Sequence, residues 1–220
     1  SDMDKPMNRW KRIYRKLFRQ KDRIGEYEAL LKRALENGYR VMSLLEWVRE
    51  DYPSGHVLLL RHDVDTDSRG AERMFEVERH LGVHASYYFR HLTMKSSLVK
   101  RMLREGFEVG LHYETLAVKM RHLQLKDKKE ISSEILLSCQ QQLAGEIQEF
   151  RKSFGSMTSL CSHGAAWNRK LGVPNHILVD DTFKKEHDIL FEAYDEALRE
   201  RITTYISDAS VTDASVWRYG

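Results

Sequence analysis

Short apolar runs alternate along the chain with stretches in which apolar side chains recur at helical spacing. Apolar runs predict strands at residues 56–60, 83–89, 107–111 and 157–161. Helical spacing predicts helices at residues 26–36, 44–49, 71–81, 98–105 and 131–150. Residues 175–179 and 203–206 are further predicted strands. Strands that alternate with helices of this length form parallel crossover units, so the pattern predicts an α/β domain with helices outside the sheet.

Length and composition favour one folded domain. The chain has 220 residues, of which 41% are hydrophobic and 31% charged, and its three prolines mark no linker between two folding units. We expect an N-terminal helical extension over residues 1–50 and the α/β domain over residues 51–220. The longest clean apolar run, Val57 to Leu60, is far shorter than the roughly 18 residues that span a bilayer, so we expect no transmembrane segment.

Cysteine usage indicates a reducing compartment. Only Cys139 and Cys161 are present, and a chain of this size buries enough apolar surface without disulfides. The first residues lack the apolar region of a secretory signal. We therefore expect a cytoplasmic protein.

Positive charge is concentrated at the start of the chain. Residues 1–24 hold nine of the 36 Lys and Arg residues but only three of the 33 Asp and Glu residues, so the remainder is mildly acidic. Trp10, Ile13 and Leu17 recur there at helical spacing, which predicts a basic amphipathic helix over residues 9–23. Such a helix could pack on the domain or lie on an anionic membrane surface, and packing is the commoner outcome. An excess of basic residues that is confined to one helix argues against a nucleic-acid partner.

Acidic residues and histidines follow three predicted strands directly. The residues concerned are Asp63, Asp65, His112, Glu114 and His163. Because the carboxyl ends of parallel strands lie on one face of the sheet, we expect these side chains to converge. Carboxylate oxygens and imidazole nitrogens suit zinc or a similar divalent ion when three of them meet and leave a position open.

Other interpretations exist for individual residues. A single histidine at a strand end is more often a cap or a hydrogen-bonded neighbour than a ligand, and Asp67 fits the N-cap of the next helix. Asp63-Val64-Asp65 also resembles the opening of haloacid-dehalogenase phosphatases, with Asp180-Asp181 as their distal metal pair. That chemistry prefers oxygen ligands and makes no use of His112 and His163. In a glycosyltransferase with a D-x-D motif, we would expect more than one strand before the motif, whereas this sequence predicts one strand before Asp63.

The motifs together resemble the polysaccharide deacetylase family, the carbohydrate esterases with NodB homology. They are RHDVD at 61–65, YYF at 87–89, GFEVGLHYE at 106–114 and SHG at 162–164. The resemblance covers residues 61–164 and is closest to a branch with an H-D-V-D signature that often accompanies bacterial surface-polysaccharide genes. The tail from Tyr205 to Trp217 resembles the closing strand of that branch. The resemblance implies a distorted (β/α) barrel, a bound divalent metal and hydrolysis of acetyl groups, mostly amide-linked N-acetyl groups, on carbohydrates.

Residue by residue, the resemblance implies that Asp63 is the catalytic base and that Asp65 and His112 bind the metal. The better-known deacetylases place a second metal histidine where this chain has Leu116, so His163 or Glu114 has to complete the site. His163 is preferred because it follows its own strand and precedes a glycine. Arg61, His62 and Tyr113 are the candidate substrate-binding residues.

Zinc is the expected metal, with cobalt, nickel or manganese as alternatives. The leaving amine needs a proton, and His62, His176 and His187 are equally eligible donors on sequence alone. Because Leu116 departs from the family pattern, a carbohydrate-binding protein that has lost turnover is the main alternative to an enzyme.

Overall fold

The computed structural model describes residues 23–206. The strands are β1 (Arg40–Met42), β2 (Val57–Leu59), β3 (Arg61–Val64), β4 (Ser86–Phe89), β5 (Glu108–Tyr113), β6 (Ser159–Ser162) and β7 (Phe191–Glu192). The α-helices are α1 (Ile24–Glu36), α2 (Leu44–Arg49), α3 (Ser68–Leu81), α4 (Ser96–Arg104), α5 (Thr115–His122), α6 (Ser133–Phe154), α7 (Ala166–Leu171), α8 (Asp181–Glu186) and α9 (Glu196–Arg199). Short 3₁₀ helices span Lys128–Glu130 and Asn175–Leu178. The predicted basic helix, apart from Arg23, and the tail beyond Ile206 lie outside the described residues.

All the strand pairs are parallel. β1 pairs with β2, and the other strands follow in the order β3-β4-β5-β6-β7. Leu60 joins the two sheets, since its N–H donates to the Met42 carbonyl and its carbonyl accepts from the Ser86 N–H. The prediction of an α/β fold with parallel strands and surrounding helices is confirmed.

Both faces of the larger sheet are buried, as expected for parallel strands. On the outer face Tyr87 and Phe89 pack with side chains of the surrounding helices, such as Phe75 of α3. On the inner face Tyr88 belongs to a second apolar cluster, which includes Met42 of β1 and Phe191 of β7. Alternation along each strand therefore decides which of the two apolar clusters a side chain joins.

Local signals in the sequence set several element ends. Asp67 caps α3 by accepting hydrogen bonds from the Arg69 and Gly70 N–H groups, as predicted. Gly82 ends that helix in the left-handed conformation, with φ of 68°, which a glycine adopts without a steric penalty. On β5, a Cβ atom at Gly110 would lie 2.5 Å from the Ser159 carbonyl oxygen, so the close approach of β6 requires glycine there.

The predicted strand at 175–179 is wrong. Those residues form a 3₁₀ helix over Asn175–Leu178, which the Asn175 side chain anchors by hydrogen bonds with the His163 carbonyl and the Ala117 N–H. The predicted strand at 203–206 is also wrong, because only Ile206 makes a bridge there.

The described part of the predicted N-terminal extension is packed into the domain. Leu31 of α1 is fully buried in the outer core, and β1 pairs with β2. Within residues 23–206, no helix combines the length and apolar character needed to cross a membrane.

Candidate metal centre

Asp65, His112 and His163 meet at the carboxyl edge of the sheet. His112 lies on β5 opposite Cys161 of β6, and His163 follows the end of β6 directly. Asp65 follows the end of β3. The convergence that the sequence predicts for these three strand ends is therefore present in the structure.

The three potential ligand atoms form a nearly regular triangle. Asp65 Oδ1 lies 3.0 Å from His163 Nδ1 and 3.3 Å from His112 Nε2. The two histidine nitrogens lie 3.2 Å apart. Zinc–nitrogen and zinc–oxygen bonds of usual length, arranged tetrahedrally, separate neighbouring ligand atoms by roughly 3.3 to 3.5 Å. The group therefore fits a small divalent ion with one coordination position left open.

His112 is held in the state that a metal ligand needs. Its Nδ1 lies 3.0 Å from the Cys161 carbonyl oxygen, which can only accept, so Nδ1 carries the proton and Nε2 is left with a free lone pair. Burial lowers the pKa of His112 below 6.5, against smaller opposing effects of Asp63 and Asp65. Its imidazole is accordingly neutral at neutral pH.

The backbone of His163 is fixed on two sides. Its N–H donates to the Tyr113 carbonyl at 2.8 Å, and its own carbonyl accepts from Asn175 Nδ2 at 2.6 Å. Asn175 thus ties the candidate metal-binding residue His163 to the 3₁₀ helix over Asn175–Leu178, where a strand was predicted.

Asp63 lies beside the triangle on the inner face of the sheet. Its Oδ2 accepts from Arg61 Nη2 at 3.1 Å, and its Oδ1 accepts from the Cys161 thiol at 3.5 Å. Burial, and then the Asp63 carboxylate, raise the pKa of Cys161 well above its ordinary value, so the thiol stays protonated and donates. Asp63, His112 and Cys161 form a second group whose ligand atoms lie within 4.8 Å of one another.

Two tyrosines cover Arg61. Its Nη2 donates to the hydroxyls of Tyr194 and Tyr205, each at 3.0 Å, and its guanidinium lies 4.7 Å from the centre of the Tyr194 ring. Arg61 therefore connects Asp63 with the segment that follows β7.

Glu114 stands outside the triangle. Its Oε2 lies 3.9 Å from His163 Nε2, the nitrogen that faces away from Asp65, and its Oε1 accepts from Arg90 Nη2 at 2.6 Å. Of the two residues that sequence analysis left open for the third ligand, the structure brings His163 into the group with Asp65 and His112.

Three other residues that the sequence motifs singled out do not belong to the group of Asp65, His112 and His163. His62 is on the outer face of β3, where its Nε2 lies 2.6 Å from Glu78 Oε1 and 3.3 Å from the Tyr27 hydroxyl. Tyr113 is buried, and its hydroxyl donates to Glu192 at 3.3 Å. Leu116 is fully buried in the outer core.

Arg90, Tyr194 and Glu192 are polar neighbours of the site that sequence analysis missed. Arg90 directly follows β4, so the rule that identified the other strand ends applies equally to it. Glu192 lies in the two-residue strand β7, and Tyr194 follows that strand. A strand of two residues is too short to give a periodic pattern in the sequence.

The residues expected of a phosphatase have other partners. Asp180 caps α8 by accepting from the Phe183 N–H at 2.8 Å. Asp181 has a fully exposed side chain that pairs with Lys184. Neither contact involves the strand-end triangle.

Comparison of the chain with family models, with curated proteins and with solved structures gives no match.

Proposed function

We propose that the protein is a metal-dependent hydrolase that removes acetyl groups, principally N-acetyl groups, from a carbohydrate or polysaccharide precursor. The observation that carries this proposal is the triangle of Asp65, His112 and His163 with a separate carboxylate, Asp63, beside it. Metal-assisted hydrolysis of an amide uses both parts: a site for a Lewis acid and a base that is not consumed as a ligand.

The distorted (β/α) barrel implied by the sequence motifs belongs to the same proposal. Support comes from the inner apolar cluster, in which Met42 of β1 and Phe191 of β7 pack with Tyr88 of β4, a strand that has a neighbour on each side. Side chains from both ends of the strand order thus share one interior, as they do when a parallel sheet curves around its core.

Zinc is the best match to one carboxylate and two imidazoles, and when bound it polarises a carbonyl group and lowers the pKa of water. Asp65, His112 and His163 would hold it. His112 Nε2 offers its lone pair because its Nδ1–H is engaged by the Cys161 carbonyl.

Asp63 is the proposed general base. Arg61 and the Cys161 thiol both donate to its carboxylate, so its two oxygens are held in place while a proton from the attacking water is accepted. Arg61 acts here as a positioning residue, and the tyrosines above it limit how its guanidinium can move.

His176 is the proposed proton donor for the leaving amine. The His62 ring lies on the outer face of the sheet, and the His187 ring packs on Phe183 of α8, with centroids 4.4 Å apart. The His176 ring instead stacks on Tyr194, with centroids 6.1 Å apart, on the side where Tyr194 meets Arg61. Of the three candidates it is the one whose ring contacts Tyr194, which accepts a hydrogen bond from Arg61, the arginine that donates to the base.

The test is acetate release from N-acetylated mono- and oligosaccharides by the zinc-reconstituted protein. We expect the wild type to release acetate, and Asp63→Asn to lose this activity while it still binds zinc. His80 is an exposed histidine on α3, and His80→Ala should release acetate like the wild type. Zinc binding and sugar binding without acetate release from any acetylated substrate would favour the carbohydrate-binding alternative.

A further inference from the structure

Four consecutive strand ends are joined through side chains in a closed ring. Arg90, at the end of β4, donates from Nη1 to the Asp65 carbonyl at 3.4 Å and from Nη2 to Glu114 Oε1 at 2.6 Å. Glu114, beyond β5, faces His163 beyond β6, and His163 returns to the Asp65 carboxylate at 3.0 Å. Arg90 and Glu114 do not belong to the triangle of Asp65, His112 and His163. Through them the ring links two members of the triangle, Asp65 and His163.

The two nitrogens of His163 have opposite neighbours in this ring. Nδ1 faces Asp65 Oδ1 and His112 Nε2, whereas Nε2 faces Glu114 Oε2 at an ion-pair distance of 3.9 Å. An imidazole that gives one lone pair to a cation carries its proton on the other nitrogen, and that N–H becomes a stronger donor. A carboxylate on that side stabilises this tautomer and fixes the ring orientation.

Arg90 is suited to hold the carboxylate there. Its forked guanidinium contacts the Asp65 carbonyl and Glu114 at once, which a lysine ammonium on a flexible stem does not reproduce with the same geometry. The Arg90 side chain is 22% exposed and the Glu114 side chain 28%, so the pair is only partly screened by solvent.

We propose that Glu114 and Arg90 are positioning residues of the metal centre: Glu114 orients His163 through its Nε2–H, and Arg90 anchors Glu114 to the Asp65 loop. This inference rests on the proposed function, because it assumes that Asp65, His112 and His163 bind the ion. It assigns Glu114 a role distinct from that of a third ligand and gives Arg90 a role that its sequence position alone does not reveal.

The test measures zinc affinity and cobalt coordination without any substrate. Zinc dissociation constants are obtained by competition with a chromophoric chelator, and the d–d absorption spectrum of the cobalt-loaded protein reports ligand geometry. Loss of an outer hydrogen-bonding partner typically weakens metal binding by about 10- to 100-fold. We expect a loss in this range for Glu114→Ala and for Arg90→Ala, together with an altered cobalt spectrum. Glu114→Gln, which retains an acceptor oxygen, should fall between Glu114→Ala and the wild type, and Arg90→Lys should recover only part of the loss.

An exposed Arg–Glu pair near the start of β1 provides the control. Arg40, at the start of β1, pairs with Glu50 at 2.5 Å, away from the carboxyl ends of the strands. Arg40→Ala and Glu50→Ala should bind zinc like the wild type. Thermal unfolding of every metal-free variant checks that the fold persists, and the milder Glu114→Gln and Arg90→Lys variants decide the result if an alanine variant does not fold.

Two outcomes separate this inference from the proposed function. Wild-type zinc affinity and an unchanged cobalt spectrum in both Glu114→Ala and Arg90→Ala would overturn the positioning role and leave the metal centre intact. Absence of zinc binding in the wild type would overturn both. A cobalt spectrum in Glu114→Ala that shows one ligand fewer would make Glu114 a ligand and contradict the assignment.

Discussion

Nδ1 of His163 lies 3.2 Å from Nε2 of His112, although 51 positions separate the two residues in the chain. Parallel pairing of β5 with β6 creates this contact, because His112 stands opposite Cys161 and His163 follows two positions later. Two imidazole nitrogens this close to each other and to the Asp65 carboxylate form a group that could hold a metal ion. In the metal-free protein, the same imidazole nitrogens are free to bind protons.

Acidification should destabilise the metal-free protein through His112. Burial lowers its pKa in the folded state below 6.5, so the unfolded chain binds more protons at this residue once the pH falls below that value. The free energy of unfolding should therefore decrease as the pH falls through 6.5 towards the folded-state pKa. Urea titrations at pH 7.5 to 5 should show a shallower decrease for His112→Gln, and His80→Gln should match the wild type. Identical slopes for His112→Gln and the wild type would contradict the argument.

Asp63→Asn should separate catalysis from metal binding. Asparagine keeps the size of the side chain but cannot accept the proton of the attacking water, and general-base catalysis contributes about 10²- to 10⁴-fold. We expect kcat for acetate release to fall within that range while the zinc content stays at the wild-type level. Turnover at the wild-type rate in the zinc-loaded variant would remove Asp63 from the role of base.

Glu192 should make stability fall as the pH rises from weakly acidic to neutral. Burial raises its pKa to about 7 in the folded state, outweighing the Tyr194 and Ser162 N–H groups that donate to its carboxylate. Between pH 4.5, its ordinary pKa, and about 7 the folded state holds a proton that the unfolded state has released, so the free energy of unfolding decreases with rising pH. Glu192→Gln should remove this contribution from the slope in urea titrations. The control Glu36→Gln, at an exposed position on α1, should keep the wild-type dependence of the free energy of unfolding on pH. The same dependence in Glu192→Gln as in the wild type would show that the Glu192 carboxyl is not its source.

Tyr27→Phe should loosen the attachment of α1. The Tyr27 hydroxyl donates to Glu78 Oε1 at 2.5 Å, and the fully buried Glu78 also meets His62 Nε2 and the Tyr87 hydroxyl, each at 2.6 Å. Removing one donor from a buried carboxylate costs about 1 to 3 kcal/mol. We expect a loss of that size in the free energy of unfolding, measured by urea titration.

The control for this variant is Tyr39→Phe. Tyr39 is 39% exposed and stacks on His56, so removal of its hydroxyl should leave stability nearly unchanged. Equal stability of Tyr27→Phe and the wild type would mean that the Glu78 cluster contributes nothing to holding α1.

Strand ends were the part of the site that the sequence could predict. Asp65, His112 and His163 each follow an apolar run, and parallel pairing brings such positions to one edge whatever the details of packing. The sequence favoured His163 over Glu114 because His163 follows a strand of its own, and the structure groups His163 with Asp65 and His112. The sequence did not show that Glu114 lies on the other side of the His163 ring, 3.9 Å from Nε2. The outer position of His62 follows from strand alternation, which places it on the opposite face from Arg61 and Asp63.

Elements with long periodic patterns were predicted well, and short ones were not. The predicted helix at 26–36 corresponds to α1, and the predicted helix ending at Gly82 corresponds to α3. The segment from Ile177 to Val179 carries an apolar run because Leu178 and Val179 are buried in the outer core, but a run of that length does not distinguish a strand from a helical turn. Side-chain hydrogen bonds of Asn175 decide the outcome there, and they depend on residues distant in sequence.

Metal content is the most direct test of the central claim that Asp65, His112 and His163 form one metal-binding site. The measurement is elemental analysis of protein purified without chelators, compared with Asp65→Ala, His112→Ala, His163→Ala and the exposed control His122→Ala on α5. The account predicts about one zinc or similar divalent ion per chain in the wild type and the control, and its loss in each of the three variants. Absence of bound metal in the wild type even after addition of zinc, cobalt or nickel, or full retention in any of the three variants, would contradict it.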